Sequence, residues 1–326
     1  MENFEKETIA AIATALSDSG IGIVRISGEN AIYIVDSIFR STSGKKILTK
    51  VQSHTIHYGY IVDKDENIID EVMSSVMKAP KSYTMEDTVE INCHGGVLVM
   101  QKVLETVLQA GARLAEPGEF TKRAFLNGRI DLSRAEAVID VIHSQNEYAL
   151  SSSVSQLKGR LSDKIRSLRE DILYQIAFIE SALDDPEHIS LEGYPEQLAE
   201  KVTGFEKEIQ KLLATADNGR LMKEGISTVI VGKPNAGKSS LLNMLLGEDR
   251  AIVTEIAGTT RDALHETINL HGISLNMIDT AGIHETQDVV EKIGVERAKK
   301  YAVEADMILY VVDASGELEK VQVGWL

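Results

Sequence analysis

The sequence predicts a multidomain chain of the α/β and α classes: an N-terminal α+β domain over residues 1–119, a helical domain over 120–220 and a partial P-loop α/β domain over 221–326. Three observations carry that prediction. Strand-like and helix-like segments alternate as far as about Glu119, apolar residues recur at helical spacing from Leu150 to Ile179, and "VGKPNAGKSSLLN" (Val231 to Asn243) lies between a short apolar run and an apolar helix.

In the N-terminal region, "GIGIVRI", "HTIHYGYIV", "IIDEVMSSVMK" and "TVEINCH" read as strands, with "DKDEN" as the turn between the second and the third. "AIYIVDSIF" and "GVLVMQKVLETVLQAG" read as helices. Alternation in "DTVEINCH" puts Val89, Ile91 and Cys93 on one face and Thr88, Glu90, Asn92 and His94 on the other. That polar row is either solvent-exposed or lines a site. From Phe120 to about Arg220 almost everything reads as helix. The apolar positions Leu150, Val154, Leu157, Leu161, Ile165, Leu168, Ile172, Ile176 and Ile179 step by 4, 3, 4, 4, 3, 4, 4 and 3. Such a heptad stripe suits a coiled coil or one long helix of a bundle. The bundle is favoured, because "DDPE" at Asp184 to Glu187 ends the stripe and a second helix follows from Glu196 to about Ala216.

Composition sets outer limits. A length of 326 residues suggests two or three domains, and 43% hydrophobic with 26% charged residues is an ordinary soluble mixture. With 34 basic and 50 acidic side chains the net charge is −16, and so acidic a chain does not advertise nucleic-acid binding. Any nucleic acid must use a local patch such as "TKRAFLNGR" or "KGRLSDKIRSLR", both of which also suit a solvated helix face. The single cysteine, Cys93, excludes an intramolecular disulfide framework and a cysteine-rich zinc site, which fits a reducing cytoplasmic setting. "MENFEKETIA" lacks a basic-then-apolar leader, and apolar runs such as "MILYVV" are too short to span a bilayer, so no membrane is expected.

The strongest local signal is G-x-x-x-x-G-K-[ST], met by Gly232 through Ser239. Thr228 to Val231 supplies the strand before it and Ser239 to Leu246 the helix after it. Glycines let backbone N–H groups curl round a phosphate that sits on the positive end of the helix. Lys238 then reaches the β/γ oxygens, and Ser239 supplies a hydroxyl for Mg²⁺. Downstream, "SLNMIDTAG" reads as a buried strand ending in Asp279, Thr280, Ala281 and Gly282, with Asp279 placed for the Mg²⁺ shell and the Gly282 N–H for the γ-phosphate. Between the two, "TEIAGTTRD" (Thr254 to Asp262) reads as a switch loop with hydroxyls for the same shell, or as a Thr-rich turn.

These boxes resemble those of translation-factor-like GTPases. With "SGIGIVRISG", "YTMEDTVEINCHGG" and "PGEFTKRAFLNGRIDLSRAEAV" added, the chain resembles the tRNA-modification GTPases called MnmE or TrmE from its first residues to about Ser315. The resemblance implies GTP contacts from Asn235, Ala236, Gly237, Lys238, Ser239 and Ser240, from Thr254, Ile256, Gly258, Thr259 and Thr260, and from Asp279 to Gly282. It implies Mg²⁺ on Ser239 and Thr260. It also implies K⁺ in place of an arginine finger, held by Asn235, Thr254, Ile256 and Thr259, although Asn235 equally suits a turn residue.

Ile283 stands where many small GTPases place a water-orienting glutamine, and the family pattern puts the catalytic residue at Glu291. His284, Glu285 and Asp288 are the other polar residues nearby, and His284 stands where the family usually has arginine. The N-terminal domain resembles folate-dependent one-carbon carriers, and the family's folate residues map onto Arg25, Glu90 and Arg129. A carboxylate suits a pterin's amino groups and guanidiniums suit the carboxylated tail of 5-formyltetrahydrofolate or a related tetrahydrofolate. Met85 departs from the family, which usually has glycine before "ED".

The implied function is that of a cytoplasmic homodimer that hydrolyses GTP and works on the wobble uridine of tRNA with an FAD-dependent partner called MnmG or GidA. No N-K-x-D box occurs, so guanine preference rests on the resemblance, and the chain is expected to be cut short within its GTPase domain and to lack the C-terminal half of its helical domain. The alternative is a module that dimerises and binds folate without hydrolysing GTP.

Overall fold

The computed structural model describes residues 7–43, 48–214, 219, 221, 223–232, 236–248, 266–270, 272–278, 301, 303 and 305–312. They form two compact units, Met1–Ala135 and Glu136–Leu326.

The first unit is a seven-stranded sheet covered on one face by two helices. Its elements are β1 (Ile9–Ile12), β2 (Ser19–Ser27), α1 (Ala31–Ile38), β3 (Phe39–Ser41), β4 (Thr55–Val62), β5 (Ile68–Met77), β6 (Thr88–Gly95), α2 (Val97–Gln109), β7 (Arg113–Leu114) and α3 (Glu119–Leu126). The strand order is β3-β4-β5-β6-β2-β1-β7, antiparallel throughout except for β1 with β7. The four strands and two helices read from the sequence are present. The additions are β1, β3 and β7, too short at four, three and two residues for alternation to show.

Alternation decides which sheet face is covered. Val24 and Ile26 of β2, Val72 and Val76 of β5, and Val89, Ile91 and Cys93 of β6 pack against Val35 and Ile38 of α1 and Met100, Val103 and Val107 of α2. The opposite face carries Arg25, Glu90 and Asn92, which are half-buried, and His94, which is exposed. Cys93 is buried, and desolvation, with the nearby Asp70 charge, pushes its thiol up to about 11, so it is chemically quiet. The "DKDEN" turn joins β4 to β5, with Asp63 Oδ1 accepting from the N–H groups of Asp65 and Asn67.

This unit continues past residue 119 to take in α3, and ion pairs hold that helix. Buried Arg123 donates to Glu86, to the Glu7 carbonyl and to Glu119 Oε1 (3.1 Å), while Arg113 donates to both oxygens of Glu119.

In the second unit, α5 (Glu147–Leu157) and α6 (Arg160–Asp184) follow α4 (Leu132–His143), and α7 (Tyr194–Ala214) follows α6. The single long helix suggested by the heptad stripe is therefore two. Gly159 breaks it by adopting φ +87°, a left-handed conformation that glycine reaches without strain. α6 and α7 form a helical hairpin: the rings of Phe178 and Tyr194 lie 4.7 Å apart, Lys201 donates to Gln175 Oε1 and Lys164 pairs with Glu208 at 2.8 Å. Leu168 is buried, whereas Ile165, Ile172 and Ile176 of the same stripe are exposed, so no closed bundle forms among the described residues.

The rest of the unit is a four-stranded sheet of β8 (Ile226–Gly232), β9 (Glu266–Leu270), β10 (Ile273–Met277) and β11 (Met307–Val311), ordered β11-β8-β10-β9, with α8 (Lys238–Glu248) following β8. β8 is parallel to β10 and β11, and β9 pairs antiparallel with β10. Ile230, Leu242, Ile268, Leu275 and Met277 form its core.

Candidate functional sites

The glycine-lysine motif sits where a phosphate loop belongs, between parallel strand β8 and helix α8. Ala236 and Gly237 lead into the helix, and Lys238, Ser239 and Ser240 form its first turn. Gly237 has φ +97°, and its carbonyl accepts the Leu241 N–H at 2.9 Å, starting the helix. Lys238 Nζ donates to the Gly232 carbonyl at 2.9 Å, so the side chain reaches back to the end of β8. Desolvation lowers its pKa from the ordinary lysine value. A polyphosphate would bring an opposite charge to this ammonium. β10 runs parallel to β8, with the Ile278 N–H donating to Thr228 O at 2.9 Å, so both strands point toward the same end of the sheet. Asn235, Thr254, Ile256, Gly258, Thr259, Thr260, Asp279, Thr280, Ala281, Gly282, Ile283, His284, Glu285, Asp288 and Glu291 lie outside the described residues.

The second site lies in the first unit. The sheet register places Arg25 of β2 opposite Glu90 of β6, and Arg25 Nε donates to Glu90 Oε1 at 2.8 Å. Sequence reading gave these two residues separate tasks, one for a carboxylate tail and one for an amino edge; here they are paired with each other. Arg129 joins them through a ring the sequence reading passed over: the Tyr83 centroid lies 5.3 Å from the Arg25 guanidinium carbon and 4.8 Å from that of Arg129. Phe120 stacks on Arg25 from 5.6 Å. Both aromatics lie in quoted motif blocks, and the available signal was an aromatic beside each candidate charge. Tyr83 is held by its hydroxyl contact with Thr121 Oγ1 at 2.9 Å, and Asn127 secures the same loop by donating to the Thr84 carbonyl at 2.7 Å. Met85 has φ +63°, a conformation that suits glycine and is unusual for methionine. Beside these residues opens a cleft of about 440 Å³, lined by His54, Met77, Lys81, Tyr83, Met85 and Arg129 among others.

Two family models match the chain, one over each region that holds a candidate site. Residues 8–129 match the family described as "GTP-binding protein TrmE N-terminus", and residues 227–324 match the family described as "50S ribosome-binding GTPase". The chain is 63% identical over 314 residues to the tRNA modification GTPase MnmE of Lachnoclostridium phytofermentans, covering 96% of this chain and 68% of that protein. Against the proteins of the same name from Bacillus subtilis and Enterococcus faecalis the identities are 52% and 54%, each over 316 residues, with 96% of this chain covered and 69% and 68% of the relatives. The chain belongs to the tRNA modification GTPase MnmE family. As a member of that family it carries a GTPase domain for GTP and Mg²⁺ behind a TrmE-type N-terminal domain. No described helix is long and apolar enough to cross a membrane.

Proposed function

We propose that this member of the MnmE family works as a cytoplasmic homodimer which, with the FAD-dependent enzyme MnmG (GidA), installs an aminomethyl-type group at C5 of the wobble uridine of tRNA. The observation that carries the reading is the presence in one chain of a phosphate loop closed by Lys238 and a cationic, aromatic site built on Arg25, Glu90, Tyr83 and Arg129. The first suits GTP and the second suits a folate. The Oε2 atom of half-buried Glu90 has no hydrogen bond among the described residues, which leaves an acceptor for the amino edge of a pterin. Arg129, stacked on Tyr83, keeps its donors for the carboxylated tail. When bound, 5-formyltetrahydrofolate or a related tetrahydrofolate supplies the one-carbon unit.

On the nucleotide side, Lys238 balances charge on the β/γ oxygens, and Ser239 with Thr260 would hold Mg²⁺. Asn235, Thr254, Ile256 and Thr259 would hold K⁺, whose charge stands in for an arginine finger. Glu291 orients water, since Ile283 offers no polar atom. Hydrolysis drives the rearrangement of paired GTPase domains.

A reconstituted reaction of this protein, MnmG, tRNA, GTP, the folate, an ammonium salt as the source of the amine nitrogen and a reductant for the flavin, read by mass spectrometry of digested tRNA and by single-turnover hydrolysis at matched ionic strength, tests this reading. Modified uridine should form in K⁺. Exchange for Na⁺, or Glu291→Ala, should lower kcat by about 10²–10³-fold at nearly unchanged GTP affinity, by analogy with loss of a charge-stabilising donor. Full hydrolysis in Na⁺ would remove the ion from the mechanism. Unmodified tRNA with every component present would refute the proposed reaction.

A further inference from the structure

The cleft beside Tyr83 extends the candidate folate site beyond the residues assigned to it. Its cations are Arg129, Lys81 and, when protonated, His54, all three exposed. Neither Lys81 nor Arg129 takes part in an ion pair among the described residues; Arg129 spends its charge on the Tyr83 ring. The carboxylates nearest in sequence are turned to other partners: Glu86 accepts from Arg123 and Ser27, and Asp87 Oδ1 accepts the Ala79 N–H at 2.8 Å. The cleft therefore presents positive charge to solvent in a chain whose net charge is −16. Backbone conformation marks the same place. Among the described residues three non-glycine positions have positive φ, and two of them, His54 and Met85 at +63° each, line this cleft, while the third, Glu66, lies in the β4–β5 turn. Positive φ at two lining residues is a local feature of this opening, of the kind that clusters at binding sites.

Tyr83 is shared: its ring meets Arg25, the partner of Glu90, and also Arg129. A ligand anchored by its ring at Glu90 and by its first carboxylates at Arg129 thus has its tail directed into the cleft. We propose that the cleft receives a poly-γ-glutamate tail, so that the protein prefers folate polyglutamates to the monoglutamate; this rests on the folate reading above. Each added γ-glutamyl residue brings one carboxylate on a flexible chain, which matches separated, solvent-facing cations better than a single preformed pocket would.

Titration calorimetry on the 326-residue protein, with 5-formyltetrahydrofolate as the monoglutamate and as the pentaglutamate, tests the proposal. The pentaglutamate should bind about tenfold more tightly, the sum of two or three partly screened ion pairs. Lys81→Ala should remove much of that gain and leave monoglutamate affinity unchanged, and Lys81→Arg should restore it. Glu90→Ala should weaken both ligands alike, which reports on the folate reading itself. Equal affinity for the two ligands overturns the tail assignment while leaving that reading intact. If neither ligand binds, the reading falls and the tail assignment falls with it. If Lys81→Ala weakens tRNA binding but keeps the pentaglutamate gain, the cleft contacts RNA and the proposal is wrong.

Discussion

Glu119 shows how a single carboxylate anchors α3. Burial alone would raise its pKa; two hydrogen bonds from Arg113, the Glu116 N–H and Arg123 outweigh that penalty and hold it at about 2. A carboxylate depressed on folding contributes stability that is complete above its unfolded value of 4.5 and is lost as pH falls through the folded value of about 2. That contribution is about 3 kcal/mol at neutral pH, because each tenfold strengthening of the acid on folding is worth roughly 1.4 kcal/mol. Glu119→Gln should therefore be much less stable than the parent to urea at pH 7, and the gap should close steadily below pH 4.5. A gap that stays constant down to pH 2.5 would show that Glu119 acts through packing and not charge. None of this network was legible in the sequence, because its members, Glu7, Glu86, Arg113, Glu119 and Arg123, come together only when β7 and α3 reach the sheet. Arg25, Glu90 and Arg129 were singled out through resemblance, and the structure gathers them around the Tyr83 ring. The sequence also flagged Met85 as a departure, and the structure supplies the reason: its backbone takes the positive φ of a glycine site.

At the scale of elements, amphipathic periodicity carried most of the assignment and failed where backbone geometry overrode it. The alternation in β6 and the helical spacing in α2 were correct because one face of each is buried in the same core. The stripe from Leu150 to Ile179 misled for a definite reason: Gly159 falls between Leu157 and Leu161, at a polar position where an interruption leaves the spacing intact. The break is closed by local bonds, with the Gly159 N–H donating to Gln156 O and the Asp163 N–H to Gly159 O, each at 2.8 Å. Gly159→Ala forces a Cβ into a left-handed residue and should destabilise the protein by about 1–2 kcal/mol with no gain in helix content by circular dichroism. If the variant is instead more helical and no less stable, α5 and α6 prefer to run on as one helix and the break is not imposed by the fold.

At the scale of the whole molecule, the two units have separate apolar cores, one centred on β2, β5 and β6 under α1 and α2, the other on β8, β10 and α8. Each core supports one candidate site, so a ligand for one site should stabilise the unit that holds it. A ligand that binds only the folded form adds RT ln(1 + [L]/Kd), about 2.7 kcal/mol at a hundredfold excess over Kd, which moves a domain of this size by roughly 5–11 °C. Scanning calorimetry should accordingly show 5-formyltetrahydrofolate raising the transition of Met1–Ala135 and GTP with Mg²⁺ raising that of Glu136–Leu326. Variants separate the effects. Lys238→Ala should abolish the nucleotide shift and spare the folate shift, because it removes the charge at the phosphate loop and touches nothing in the first core. Glu90→Ala should do the reverse, leaving the β8–α8 framework unchanged. A single transition raised equally by either ligand would mean that the units unfold as one cooperative body, and the stability of each site would then depend on both cores.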